Sequence, residues 1–307
     1  AGKDDSGREM YGTVSSPGHE PTVITVGASN MLGTAKRSDD VMTTFSSRGP
    51  TRGSLTFANG NRWTDNLIKP DLVAPGNKLL TASGADSSGT AAGLNLLART
   101  YPALTQVAGA SQAPRQTLMT LSGTSVAAPA VAGAAAVLLQ ANPGLTPPLV
   151  KAILQYTAQP LPNSNLLQQG AGLLNIDGAV ALAKVLRTDI ASKVTAGTIS
   201  SGNSMLGSGQ SMPTTTSTIN GSSFTWSRIA YAGGNQVVSG SALFAKYQPI
   251  WDHRLVWARG VARRRRAAAV PRLELHLPAR RPAADPRGLP AHRSAGTHQR
   301  TVRDRED

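Results

Sequence analysis

One stretch dominates the hydrophobic pattern of the chain: residues 121–140, L-S-G-T-S-V-A-A-P-A-V-A-G-A-A-A-V-L-L-Q, where small apolar residues follow one another without a charge. Gly123 permits a sharp turn, and Thr124 and Ser125 are residue types that start helices. The stretch predicts a long helix, apolar on every side and therefore buried. Ala132, Gly133, Ala134, Ala135 and Ala136 would let neighbouring backbones approach closely. Pro129 removes the amide that would bond the Ser125 carbonyl, a defect tolerated only near a helix start.

Shorter elements surround it. Residues 22–28, T-V-I-T-V-G-A, read as a buried strand after a polar, glycine-rich surface loop over residues 1–21, and residues 69–76, K-P-D-L-V-A-P-G, as a second strand closed by Pro75 and Gly76. The stretch between Gly76 and Ser122 is read as a surface insertion with a helix near residues 91–99. Beyond the central helix, Asn142, Pro143 and Gly144 stop it. Thr146 is expected to cap a second helix with Pro147 at its first position and Val150, Ile153 and Leu154 on one face. Asp177 is the expected cap of a third helix over residues 179–186. Short strands and helices in this order suit an α/β fold with a doubly wound parallel sheet and Ser125 at its carboxyl end.

The character of the chain changes at residue 188. Gly, Ser and Thr dominate residues 195–223, a flexible linker by composition. Phe224 to Trp226, Val237 and Val238, and Ala242 to Phe244 then recur between glycine-bearing turns, which suggests the strands of a small β module. A packed accessory domain or a disordered extension is favoured there over a module that binds substrate or a cell surface. From about Trp251 the sequence turns to arginine, alanine and proline without periodicity. Three segments result: residues 1–187, residues 188–249, and a basic, disordered tail over 250–307.

Charge changes this picture little. The net charge is +14, with +6 in residues 1–249 and +8 in residues 250–307, so more than half of the excess belongs to the tail. Arg263, Arg264, Arg265 and Arg266 could hold nucleic-acid phosphates. However, no aromatic residue able to stack on a base follows Trp257, and fourteen arginines without a lysine from residue 250 on resemble a GC-rich gene translated in the wrong frame, the favoured reading. Nucleic acid accordingly ranks last among partners. The chain has no cysteine and hence no disulfide or thiolate metal site. No apolar run is expected to reach membrane-spanning length, so no membrane partner is expected. Any secretion leader is expected to lie outside the chain.

Candidate chemistry centres on Ser125. Its bland reading is a helix cap. The alternative is a nucleophile at the positive end of a helix, its own backbone N–H aimed to donate to an oxyanion as the hydroxyl attacks a carbonyl. Residues 123–133, G-T-S-V-A-A-P-A-V-A-G, resemble the active-site serine segment of the subtilisin-like serine proteases, the subtilases, with Val126 and Ala130 at positions where methionine and histidine are common. Residues 12–28, 44–50 (T-F-S-S-R-G-P), 69–76, and 144–154 followed by 170–180 resemble further strings of that family in the family's order, so the likeness covers about residues 10–187. It implies a subtilisin-like fold, peptide-bond hydrolysis through a serine acyl-enzyme, and a protein or peptide substrate. Ser125 would be catalytic, its N–H would serve the oxyanion, and Ser15, Ser16, Pro17, Gly123 and Thr124 would border the substrate. It also implies an extracellular or cell-envelope location and, often, calcium, for which no ligand cluster stands out.

The likeness is incomplete where the chemistry is most demanding. A serine hydroxyl needs an imidazole within hydrogen-bond reach and a carboxylate to orient it. Upstream of Ser125 the chain has one histidine, His19, in P-G-H-E-P and not in the family's H-G-T-H-V-A-G. Asp5, Ser6 and Gly7 imitate the D-S-G string without the apolar strand a triad aspartate should end, and His298 follows the serine. Lys3 takes the position where a direct match has the oxyanion asparagine, although a register with that asparagine just before Ala1 fits as well. The chain is therefore expected to be the carboxyl half of a subtilase catalytic domain, inactive by itself, with the amino-terminal half as its missing partner. A non-catalytic remnant or binding protein is the alternative, and a nucleic-acid binder the third.

Overall fold

A computed structural model of the chain describes residues 2–85, 88–110, 113, 117–258 and 261–264, with the backbone alone for 255–258 and 261–264. Ala1–Arg265 form one compact unit; a second, Arg266–Asp307, lies outside the described residues, as do most of the arginine-rich tail and the readings attached to it.

The architecture is α/β, built from small sheets. β1 (Val26–Asn30) pairs antiparallel with β2 (Val41–Met42). A hairpin of β3 (Ser54–Thr56) and β4 (Arg62–Thr64) leads to β5 (Leu72–Pro75), which runs parallel to β1 with Val26 opposite Leu72 and Ser29 opposite Pro75. β6 (Leu79–Ala82) and β7 (Leu118–Leu121) pair antiparallel across an excursion containing α1 (Leu96–Thr100). Then come α2 (Thr124–Ala141), α3 (Pro147–Thr157), α4 (Leu166–Gln169), α5 (Ile176–Val185) and α6 (Ile190–Ala196). Two hairpins follow, β8 (Thr216–Ile219) with β9 (Ser222–Thr225) and β10 (Ile229–Ala232) with β11 (Gln236–Ser239).

Local chemistry explains most departures from the sequence-based expectations. β1 begins at Val26 because Thr25 is drawn elsewhere: its amide bonds the Asp71 carboxylate at 2.8 Å and its hydroxyl the Gly18 carbonyl at 2.6 Å. Asn175, not Asp177, caps α5, its side chain accepting from the Gly178 amide at 3.2 Å, while Asp177 sits in the first turn. Thr146 precedes α3 with Pro147 at the first position, but its hydroxyl donates to the Trp251 carbonyl at 2.8 Å and does not cap. The helix expected near residues 91–99 is a 3-10 turn (Ala91–Gly93) followed by α1.

The largest correction concerns α2. A single stripe, Ala127, Val131, Ala134 and Leu138, is buried, packed in a core shared with β1, β5, α3 and α5. The opposite row is exposed: Ser125, Ala128, Pro129, Ala132, Gly133, Ala136 and Leu139, with Val137 at 41% and Leu139 at 45% of full exposure. The expectation that no apolar run reaches membrane-spanning length also fails, since α2 has 18 residues and is long and apolar enough to cross a bilayer. Here its buried stripe belongs to the protein core.

The glycine- and serine-rich stretch expected as a linker is tied down too. Met205 and Ile199 are buried in the main core, and the Arg187 amide bonds the Met205 carbonyl at 2.9 Å. Ala242 to Phe244, expected as a strand, form a turn that inserts Phe244 into the core. Tyr156 of α3 meets Phe244 edge-on at 5.0 Å and Trp226 at 6.2 Å, and Phe244 stacks on Trp251 at 5.3 Å. Such aromatic contacts add about 0.5–1.5 kcal/mol each beyond their burial.

A buried polar cluster pins β1, β5 and α3 together. The Asp71 carboxylate receives Lys69 Nζ at 2.7 Å, Lys151 Nζ at 2.9 Å, Gln155 Nε2 at 3.0 Å and the Thr25 amide. Lys69 and Asp71 are wholly buried, and the Lys151 side chain is 11% exposed. Two ammonium groups against one carboxylate leave the cluster with a net positive charge. Burial pushes the Lys69 pKa down to about 8, against the upward pull of Asp71.

Candidate functional site

Ser125 is the second residue of α2, and Gly123 is the N-cap. Gly123 has φ 157° and ψ 156°, a conformation essentially reserved for glycine, so the cap is a backbone turn and Ser125 is released from the capping role. The Gly123 amide donates to the Gly76 carbonyl at 2.7 Å, and the Gly123 carbonyl accepts from Val126 and Ala127. On the facing loop the Lys78 amide donates to Ser122 Oγ at 2.8 Å, and Ser122 Oγ reaches Asn77 Oδ1 at 3.3 Å. Gly76 is required by space: a Cβ there would stand 2.7 Å from the Ala28 Cβ and 2.9 Å from the Gly123 carbonyl.

This clasp seats the start of α2 at the carboxyl ends of β1 and β5, since Gly76 follows β5 directly and its amide bonds the Ser29 carbonyl at 3.0 Å. Ser125 is exposed at the head of the bare row of α2. Among the described residues neither its hydroxyl nor its amide has a hydrogen-bond partner. An unbonded N–H at the positive end of a helix and an adjacent free hydroxyl are the two groups an acyl-transfer serine needs from its own residue.

The other expected residues are arranged less closely. Thr124 opens α2 beside Ser125. Ser15, Ser16 and Pro17 are exposed in a turn held by the Thr25 hydroxyl on Gly18 and, upstream, by the Gly12 and Thr13 amides on the Gly49 and Arg48 carbonyls; no hydrogen bond links that turn to residues 123–125. In the F-S-S-R-G-P string it is Ser46 and Arg48 that are buried, Phe45 only partly. His19 lies in the Ser15–Glu20 turn and His253 follows Trp251; neither bonds Ser125. Asp4 is closed into a local turn with Ser6 and Arg8, whose hydrogen bonds, that of the Ser6 side chain foremost, lower its pKa. Among the described residues no three His, Asp or Glu side chains converge. Residue patterns missed Gly76, Asn77 and Ser122 as the seat of the helix. The signal available was Pro75 and Gly76 at a strand end, which mark a turn without showing what it receives.

The model of the subtilase family matches residues 1–179. The chain is 34% identical over 168 residues to the serine protease AprX of Bacillus subtilis (strain 168), covering 55% of this chain and 32% of that protein. It is 33% identical over 135 residues to the subtilisin-like protease SBT1.6 of Arabidopsis thaliana, 43% of this chain and 14% of that one. With the membrane-bound transcription factor site-1 protease of Mus musculus it shares 31% over 170 residues, 54% of this chain and 12% of that one. The chain thus spans a third or less of the length of these relatives. Among solved structures, fervidolysin from Fervidobacterium pennivorans, described as a keratinolytic enzyme related to subtilisin, matches 59% of this chain and 21% of its own at 26% identity, with a TM-score of 0.38.

Proposed function

The chain belongs to the subtilase family of serine endopeptidases, and on that premise we propose that Ser125 is the nucleophile of a peptide-bond hydrolase whose remaining catalytic groups reside outside this sequence. Ser125 Oγ attacks the peptide carbonyl, forming a C–O bond as its proton passes to an imidazole. The Ser125 N–H holds the resulting oxyanion, the C–N bond breaks, and the amine leaves with the proton. Water then repeats the sequence on the acyl ester and releases the carboxylic acid. The substrate is a protein or peptide, bordered by Ser15, Ser16, Pro17, Gly123 and Thr124. An extracellular or cell-envelope location rests on the family alone.

One observation carries this reading: a hydroxyl and amide, both unpartnered, at an exposed helix start clasped to the ends of two parallel strands. The absence from the sequence of the family's histidine string makes the chain inactive by itself, because removing the base from a serine triad lowers the rate constant by about a million-fold. The bare row of α2 is the surface the missing half of the domain covers.

Labelling by a serine-directed fluorophosphonate tests both parts. The full 307-residue chain alone should label no faster than a denatured control. Mixing it with an amino-terminal subtilase portion bearing the D-S-G and H-G-T-H strings should produce labelling at Ser125 that Ser125→Ala abolishes. Rapid labelling of the lone chain defeats the half-enzyme reading. A stable complex that never labels favours the non-catalytic remnant.

A further inference from the structure

Lys151 of α3 commits its whole ammonium group to the protein. Its N–H donors meet the Pro21 carbonyl at 2.9 Å, the Val23 carbonyl at 2.9 Å and Asp71 Oδ1 at 2.9 Å, one acceptor for each of the three. The side chain also lines a mostly apolar cavity of about 160 Å³ with Tyr231 and Trp251, but no donor is left for anything lodged there.

Asp71 does not need this partner. Without Lys151, Oδ1 would keep Gln155 Nε2, and Oδ2 would keep Lys69 Nζ and the Thr25 amide, with Lys69 alone balancing the charge. What Lys151 adds is its hold on residues 21–23. Lys69 also reaches the Val23 carbonyl, at 3.0 Å, but among the described residues Lys151 is the only donor to the Pro21 carbonyl. Packing does little here, because Glu20, Thr22 and Val23 are all exposed. The Ser15–Glu20 turn comes immediately before. Its own bonds close on themselves, the Gly18 amide to the Ser15 carbonyl at 2.8 Å and the Glu20 amide to the Pro17 carbonyl at 3.0 Å. Among the described residues, hydrogen bonds tie the carboxyl side of this turn to the body at two places: Gly18, through the Thr25 hydroxyl, and Pro21, through Lys151.

We propose that Lys151 is a positioning residue, which reaches from α3 to fix the Ser15–Pro17 turn and thereby sets how tightly substrate is held, without touching the chemistry at Ser125. This rests on the reading that Ser15, Ser16 and Pro17 border the substrate. A border held in place before binding spares the ordering cost that a loose one would add.

Hydrogen exchange of the full chain, resolved to single amides, tests the mooring. Lys151→Met keeps most of the stem and removes the donors. It should speed exchange at the Gly18 and Glu20 amides about tenfold or more, as expected for loss of charged hydrogen bonds, and leave the Leu138 amide of α2 within about twofold. Lys151→Arg, which restores a cationic donor, should exchange more slowly at the turn than Lys151→Met. Lys184→Met, which removes an exposed lysine on α5, should move neither. In the mixture with the amino-terminal portion, Lys151→Met should raise KM for a peptide about fivefold or more with kcat within about twofold, whereas loss of folded enzyme would lower the apparent kcat instead. Unchanged exchange at the turn, equal acceleration at Leu138, failure of Lys151→Met to fold, or an unchanged KM overturns the inference. A parent mixture that never turns over defeats the reading of Ser125, and the exchange result then decides by itself whether Lys151 fixes the turn.

Discussion

Asp40 shows how a single buried carboxylate can be read in the stability of the whole chain. It is 2% exposed, its Oδ1 has no hydrogen-bond partner, and burial raises its pKa to about 6 despite the opposing charge of Arg37. Below about pH 4 both the folded and unfolded states hold this proton and the site is neutral to stability. Between about pH 4 and 6 the unfolded state ionises first, so a penalty builds up and is complete above the folded-state value. Asp40→Asn, which keeps the shape of the protonated acid, should therefore match the parent near pH 4 and exceed it by roughly 1–3 kcal/mol at pH 7 to 8 in urea unfolding. A variant less stable than the parent at pH 7.5 would show that the ionised form is held by contacts this geometry lacks. Ser125 illustrates the limit of residue-level reading. Its chemical type and the glycine before it are plain in the string, but its release from capping follows from the backbone conformation of Gly123, which a residue name does not state.

At the scale of elements, the existence of α2 and α3 and the turn between them were legible because Gly123, Asn142, Pro143 and Pro147 punctuate the chain where backbone chemistry demands it. The face that α2 buries was not legible. When nearly every side chain is alanine, valine or leucine, periodicity carries no contrast, and only the partners β1, β5 and α5 choose the stripe. Adjacent leucines of α2 make this measurable. Leu138 is wholly buried and Leu138→Ala should cost about 2–5 kcal/mol in denaturant unfolding, whereas Leu139→Ala, at a half-exposed position, should stay within about 0.5 kcal/mol. Equal costs would mean that the bare row is covered in solution. The pairing of β6 with β7 was equally hidden, since about 35 intervening residues separate strands whose register depends on a contact no local pattern encodes.

For the molecule as a whole, the family match ends at residue 179 but the core does not. Trp226, Phe244 and Trp251 pack around Tyr156, and the Thr146 hydroxyl holds the Trp251 carbonyl, so the carboxyl-terminal extension completes the hydrophobic interior of the catalytic-type fold. A chain ended at residue 187 should lose near-ultraviolet circular dichroism and bind a hydrophobic dye, having exposed Tyr156 and the face of α3. Cooperative unfolding at the parent midpoint would overturn that expectation. The cavity between Lys151, Tyr231 and Trp251 belongs to the same scale, because residues this far apart in sequence meet only once the extension has docked. A last consequence follows from the hydroxyl of Ser125 heading the same row of small side chains that α2 leaves bare. On the proposed role of Ser125, the piece that comes to lie on that row also brings the missing base, so coverage and chemical competence would arrive in one bimolecular event. Turnover should then appear after a lag that shortens as the concentration of either piece is raised.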